Sequence, residues 1–204
     1  MSPEAANGAR GGESGEFEMF IRSERLFLRP AWPEEWAEIR AAIGHADVAR
    51  NLADASWPQQ AADAPRVVAS GSEPRLPQFV ITLPGADGAR LIGGAGLHRD
   101  GEEVALDCWI ARGDWGQGYA TEAARALLSL ARALGHRRVI AHHFADDPAS
   151  GRVLSKSGFA RTGRACLRPS LGRDGLSSSH CYAADLAVLA GGDDDSGGGM
   201  QHAA

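Results

Sequence analysis

The run Trp115-Gly116-Gln117-Gly118-Tyr119-Ala120-Thr121-Glu122 joins an apolar stretch, Val104 to Ile110, to an amphipathic stretch that reaches about Leu134. A strand that passes through two glycines straight into a helix requires a sheet with that helix packed across it. Ala120, Ala123, Ala124, Leu127, Leu130, Ala131 and Leu134 recur at three- and four-residue spacing, and Glu122, Arg125, Ser129 and Arg132 fall on the other side. That periodicity predicts a helix, with Gly135 as its C-terminal cap. Two glycines and an alanine at its start let backbone N–H groups approach an anion, and the helix aims its positive end at the same spot. A diphosphate suits such a cradle.

Two common diphosphate motifs do not fit. The dinucleotide fingerprint needs G-x-G-x-x-G and an acidic residue about 20 positions on. Here Thr121 stands in place of the third glycine, and the later stretch reads Gly135-His136-Arg137-Arg138, without a carboxylate. The phosphate loop fails as well, because no Gly-Lys-Ser/Thr is present.

Composition narrows the classes further. At 204 residues and 44% hydrophobic, the chain has the material for one domain with a real core. A net charge of −5 argues against nucleic acid as a bulk electrostatic partner. Cys108, Cys166 and Cys181 are scattered without C-x-x-C pairing, and there is no signal peptide and no apolar run of membrane length. They read as reduced thiols in a cytoplasmic protein that has no membrane association. His142-His143 is the nearest approach to a metal cluster, but alternation on a strand sends the two to opposite faces, so no metal is expected. Residues 1–18 and 190–204 lack periodicity and read as disordered tails around a single domain at 19–189.

Arg25 to Arg29 reads as a first strand, and Pro33-Glu34-Glu35-Trp36 opens a helix with Pro in its first turn. Residues 45–75, broken by Pro58, Pro65 and Pro74, are helical or loop. Gln78 to Leu83, Arg90 to Leu97 and Glu103 to Ala111 form three strands, with His98-Arg99-Asp100-Gly101 as one of the hairpin connections. Arg138 to His143 is a further strand, Asp147-Pro148 an N-cap followed by Pro, and Gly158 the end of that helix. Phe159 to Arg164 and His180 to Leu186 close the set. The fold class is α+β.

Three segments together resemble one family. The junction matches the Arg/Gln-x-x-Gly-x-Gly/Ala loop of the GNAT acetyltransferases, in the branch of the ribosomal-protein N-terminal acetyltransferases, which often reads Trp-Gly-x-Gly-Tyr-Ala-Thr-Glu-Ala. Asp147-Pro148-Ala149-Ser150-Gly151-Arg152-Val153-Leu154-Ser155-Lys156-Ser157-Gly158-Phe159 is similar to that branch's Asn-x-x-Ser-x-x-Val-Leu-x-Lys-x-Gly-Phe. Arg25-Leu26-Phe27-Leu28-Arg29-Pro30 looks like its first strand. The resemblance spans roughly residues 22–187. It implies a mixed, mostly antiparallel sheet of about six to seven strands flanked by about four helices. It also implies an enzyme that moves an acetyl group from acetyl-CoA to a primary amine by direct transfer in a ternary complex.

The resemblance assigns residues to that chemistry. Backbone N–H groups around Gly116, Gln117, Gly118, Tyr119, Ala120 and Thr121 would hold the pyrophosphate. Exposed backbone of Trp109 and Ile110, on a strand that bulges and splays from its neighbour, would pair with the pantetheine arm. Ser150 would protonate the departing thiolate, or else cap its helix locally. Asp147 stands where the family has Asn, so it caps the helix but cannot donate as an amide would. The usual strand glutamate is Ala105 here, which leaves Asp107, or Glu103 nearby, to take the amine proton through a water. An ordinary Asp, with pKa about 3.9, is a poor base unless burial raises it. An α-amine, at about 7.7–8.0, needs less help than a lysine near 10.4. The acceptor therefore remains a protein N-terminus or a small-molecule amine, and late strands could pair two subunits as a homodimer. The other reading is a non-catalytic acyl-CoA-binding module on the same fold.

Overall fold

The computed structural model describes residues 19–53, 73–86 and 88–187. The expected tails lie outside these residues, as does most of the proline-broken 45–75 segment. Eight strands form one sheet: β1 (Ile21–Arg22), β2 (Phe27–Arg29), β3 (Gln78–Gly85), β4 (Gly88–Asp100), β5 (Glu103–Ile110), β6 (Arg138–Phe144), β7 (Ala160–Pro169) and β8 (Leu176–Asp185). Their spatial order is β1-β2-β3-β4-β5-β6-β8-β7. Every neighbouring pair is antiparallel except β5 and β6. The helices among the described residues are α1 (Trp36–Ile43), α2 (Ala46–Ala49), α3 (Tyr119–Ala133) and α4 (Pro148–Lys156). The α+β class and the mixed, mostly antiparallel sheet agree with expectation. The strand count rises to eight because Ile21–Arg22, ahead of the expected first strand, folds back on it through a turn in which Ser23 N–H donates to the Leu26 carbonyl at 3.0 Å.

The helices sort the core into two faces. On one, α3 and α4 bury Ala123, Leu127, Ala131 and Leu154 against Leu28, Ile81, Leu97, Leu106 and Val139. On the other, α1 and α2 bring Ile39, Ile43 and Val48 onto Val80, Leu91 and Trp109. Strand alternation therefore sends Leu106 and Ile110 toward α3, and Ala105, Asp107 and Trp109 toward α1 and α2.

Three details depart from the sequence reading. His98, Arg99 and Asp100 continue β4, and only Gly101 and Glu102 turn. Strands β7 and β8 run further than expected because the added β7 residues are mostly exposed and the added β8 residues are largely serine, so neither carries a hydrophobic alternation to read. The anticipated bulge is absent from the β4–β5 ladder, whose register runs unbroken from Gly93↔Ile110 to Asp100↔Glu103. The irregularity lies one ladder away, between β3 and β4 at Ile81/Thr82.

The splay, by contrast, is present. β5 and β6 pair only at Ala105↔Ile140, while β6 pairs with β8 along its whole length. Beyond that row the two parallel strands part, leaving a slot through the sheet.

Leu127 is fully buried at the centre of the α3–sheet contact. Leu127→Ala is expected to cost about 2–5 kcal/mol, read as a lower urea midpoint with an unchanged slope.

Candidate functional site

The slot opens into a cavity of about 410 Å³ at the C-terminal ends of β5 and β6. Its wall is drawn from several layers: Val48 from α2 with Asn51 and Leu52 just after it, Cys108 to Ile110 from β5, Gly116 and Gly118 to Thr121 from the junction, and Asp147, Ser150, Arg152 and Lys156 at and along α4. Of the residues singled out in the sequence, Trp109, Ile110, Gly116, Gly118, Tyr119, Ala120, Thr121, Asp147 and Ser150 meet here. Gln117 and Asp107 are not part of this wall.

The junction needs its glycines for conformation rather than room. Gly116 and Gly118 have φ of +79° and +82°, with no neighbour closer than 3.6 Å to a Cβ built on either. Gly118 is the N-cap of α3, so the helix's unpaired N–H groups and positive end point at the cavity. Arg152 and Lys156 add positive charge from α4. This donor set suits a diphosphate.

Arg25 braces the loop from outside. Its Nη1 donates to the Gln117 carbonyl at 3.0 Å, its Nε to Glu122 at 2.7 Å, and its guanidinium lies 4.7 Å from the Tyr119 ring centre. Glu122 also accepts from Ser23 and from the Arg25 backbone N–H. Burial raises the Glu122 pKa, but these donors outweigh it and hold the carboxyl below its usual value. The Glu of the junction motif thus fixes the loop to the first strands rather than touching the cavity.

At β5, Trp109 is buried against Ile39, Ile43 and Val48. The Ile110 carbonyl accepts from Trp115 Nε1 at 2.7 Å. Cys108 points toward α3, its Sγ 3.9 Å from the Ala120 carbonyl, and burial, assisted by the Asp107 charge, pushes its thiol up to about 12. Such surroundings disfavour the thiolate, the reactive form.

At α4, Asp147 Oδ1 accepts from the Ala149 and Ser150 N–H groups, both at 3.2 Å, and Oδ2 from Ser150 Oγ at 2.5 Å. Asp147 is the helix cap, and the Ser150 hydroxyl is turned toward it in this structure.

Asp107 lies on the opposite face of the sheet, beside partners the sequence did not bring together. His98 Nδ1 is 3.3 Å from Asp107 Oδ2. Asp100 accepts from Arg168 at 2.7 Å and faces His142 Nε2 at 3.1 Å. Burial, with the Arg168 charge, lowers the His142 pKa against the pull of Asp100. His143 goes to the other face, under Gly151, as alternation required. Among the described residues no group of three or more His, Cys, Asp or Glu could hold a metal ion, and no helix is long and apolar enough to cross a membrane.

The far wall is held by the β7–β8 connection. Leu171 N–H donates to the Leu52 carbonyl at 3.1 Å. Arg173 donates to the Arg50 carbonyl at 2.8 Å, to Asn51 Oδ1 at 3.1 Å and to Asp146 at 2.7 Å. Asp146 also accepts from Arg50 at 2.5 Å, and these two guanidinium partners hold its carboxyl far below the usual range.

A mixed α+β sheet opened by a slot, with a glycine loop and a helix N-terminus at its mouth, is the fold and site that the chain presents. Residues 25–160 match the acetyltransferase (GNAT) domain family, and the chain belongs to that family. It is, on that membership, an acetyl-CoA-dependent N-acetyltransferase. No curated protein matches it in sequence. Similar solved structures include a GNAT-family acetyltransferase from Bacillus anthracis, 23% identical over 83% of this chain and 99% of that one, with a TM-score of 0.66. RimJ from Mycobacterium smegmatis in complex with CoA-disulfide is 21% identical over 84% and 88%, with a TM-score of 0.66. The spermidine N-acetyltransferase from Vibrio cholerae, in complex with CoA and spermine, is 14% identical over 80% and 96%, with a TM-score of 0.65.

Arg173→Ala removes three anchoring hydrogen bonds. Amide exchange at Leu171 and in the Val48–Leu52 segment is expected to speed up while the core of β4 and β5 stays protected.

Proposed function

We propose that the cavity binds acetyl-CoA and that the enzyme transfers its acetyl group directly to a primary amine, either a peptide α-amine or a small-molecule amine. The observation that carries this reading is the slot between β5 and β6, which opens onto a glycine loop and a helix N-terminus. An extended arm can lie in the slot while its diphosphate meets the N–H groups of Gly116 to Thr121, with Arg152 and Lys156 nearby. Acetyl-CoA supplies the activated acyl group when bound.

The chain's own groups do the rest. Backbone at Ile110 faces the slot and orients the arm, while the Trp109 backbone, opposite Gly94, is turned to β4. With the Ile110 carbonyl engaged by Trp115, the N–H side of this strand is the part left to polarise an acyl oxygen. Asp147 shapes the α4 end of the cavity, as a cap rather than a donor. Ser150 supplies the proton for the leaving thiolate, its hydroxyl swinging from Asp147 toward the cavity as negative charge develops there. Asp107 serves the amine side, on the α1 and α2 face of the sheet.

Calorimetry with acetyl-CoA, using NAD as a control, tests the donor. Micromolar acetyl-CoA binding without NAD binding is expected. Gly118→Glu should abolish the binding, because it forces a side chain onto positive φ and places a carboxylate at the anion cradle; normal affinity in that variant would falsify the loop assignment. Ser150→Ala and Asp107→Asn are each expected to lower kcat about 10- to 100-fold with donor affinity kept. Full rates in both would remove these two residues from the mechanism.

A further inference from the structure

The α1 and α2 face carries two histidine–carboxylate pairs, His98–Asp107 and His142–Asp100, at 3.3 Å and 3.1 Å. They stand around the last row in which β5 and β6 are joined: His98 is opposite Ala105, and Ala105 is opposite Ile140. Ala105, Ile140 and Cys181 make a small, buried, apolar floor there. An arm threaded along the slot from the cavity ends at this row, so an amine that meets it from the α1 and α2 face arrives among these groups.

The two pairs are not equivalent. His142 has both ring nitrogens engaged, Nε2 by Asp100 and Nδ1 by Cys166 Sγ at 4.0 Å, and Arg168 is bound to the same Asp100. That arrangement is closed. In the other pair, His98 Nδ1 and Asp107 Oδ2 are buried atoms that make no aligned hydrogen bond, and each has the other as its near neighbour of opposite polarity. The His98 side chain is about one-fifth exposed. Among the described residues nothing is hydrogen-bonded to its Nε2. A carboxylate behind Nδ1 selects the tautomer with its proton there and leaves the Nε2 lone pair outward. Loose contacts of this kind tighten in a working complex. An imidazole also titrates nearer to neutral pH than a carboxylate does, which makes it the better proton acceptor at physiological pH.

We propose that His98 is the catalytic residue that takes the acceptor amine's proton at Nε2, and that Asp107 is its positioning residue. This deepens the acetyltransferase reading above and rests on it. His98 accepts the N–H proton as the amine nitrogen bonds to the acetyl carbon and the carbon–sulfur bond breaks; the thiolate takes a proton from Ser150 or water, and His98 returns its own to solvent. Asp107 of β5 is the charged group against His98; Asp100, two residues along β4, is bound by His142 of β6 and Arg168 of β7.

The test compares wild type, His98→Gln and Asp107→Asn, with a short peptide bearing a free α-amine and with spermidine as acceptors. His98→Gln is expected to bind acetyl-CoA as wild type does, to lose about 100-fold in kcat with KM within about twofold, and to lose the acid limb of the pH–rate profile. The His98 ring nitrogen signals, assigned by their absence in His98→Gln, should report the Nδ1–H tautomer in wild type and move toward the other tautomer in Asp107→Asn. Wild-type turnover that survives His98→Gln within twofold, or a His98 tautomer unmoved by Asp107→Asn, overturns the proposal alone. A wild-type protein that binds no acetyl-CoA, or acetylates neither amine, overturns the function from which it starts as well.

Discussion

The molecule depends on one unmade set of hydrogen bonds. β5 and β6 meet at Ala105↔Ile140 and then diverge, although each stays fully paired on its other side, β5 with β4 and β6 with β8. Two parallel strands that part leave N–H and C=O groups facing a gap, and such groups are costly unless water or a ligand meets them. α3 and α4 both begin at the open end of the gap, so two helix N-termini and two strand edges converge on one cavity. Binding capacity follows from backbone placement, and this is why the cavity wall holds few side chains of evident chemical purpose.

A gap in a sheet is weak unless its rims are tied, and the ties here are ionic. Arg25 and Glu122 fasten the glycine loop to the first strands. Arg173, Asp146 and Arg50 fasten the β7–β8 connection to the end of α2. Both clusters are partly exposed, and exposed pairs contribute little apiece to global stability. Their value lies in geometry: each holds a rim of the cavity at a fixed distance from the sheet.

How much of this could be read from the sequence varies with the physics of each part. The α3 helix, its glycine cap and the Asp147-Pro148 start of α4 were legible because helix periodicity and capping are local. The glycine turn that starts α3 was legible for the same reason, through Gly116 and Gly118. The hairpin end of β7 and β8 was not, since its residues are exposed on β7 and mostly serine on β8 and leave no hydrophobic alternation. His98 and Asp100 read as turn residues because His98-Arg99-Asp100-Gly101 is polar throughout. Only the long ladder with β5, through Asp100↔Glu103, shows that they belong to a strand. Pairs such as His98–Asp107, Arg50–Asp146 and Arg168–Asp100 join residues far apart in the chain, and no single-sequence spacing announces them.

The same distinction separates the two faces of the enzyme. On the α3 side, recognition is by backbone, glycine and helix terminus, features that tolerate wide drift in sequence provided a few positions stay small. On the α1 and α2 side, His98, Asp100, Asp107, His142 and Arg168 bring two carboxylates and three potential cations onto one small patch of sheet. Charges set this closely favour one protonation state and one orientation of whatever enters, which is how a site selects among amines that a backbone slot would treat alike. On the proposed reading, donor recognition is written in the fold and acceptor recognition in side chains, and the face that carries His98 and Asp107 is where amine choice is decided.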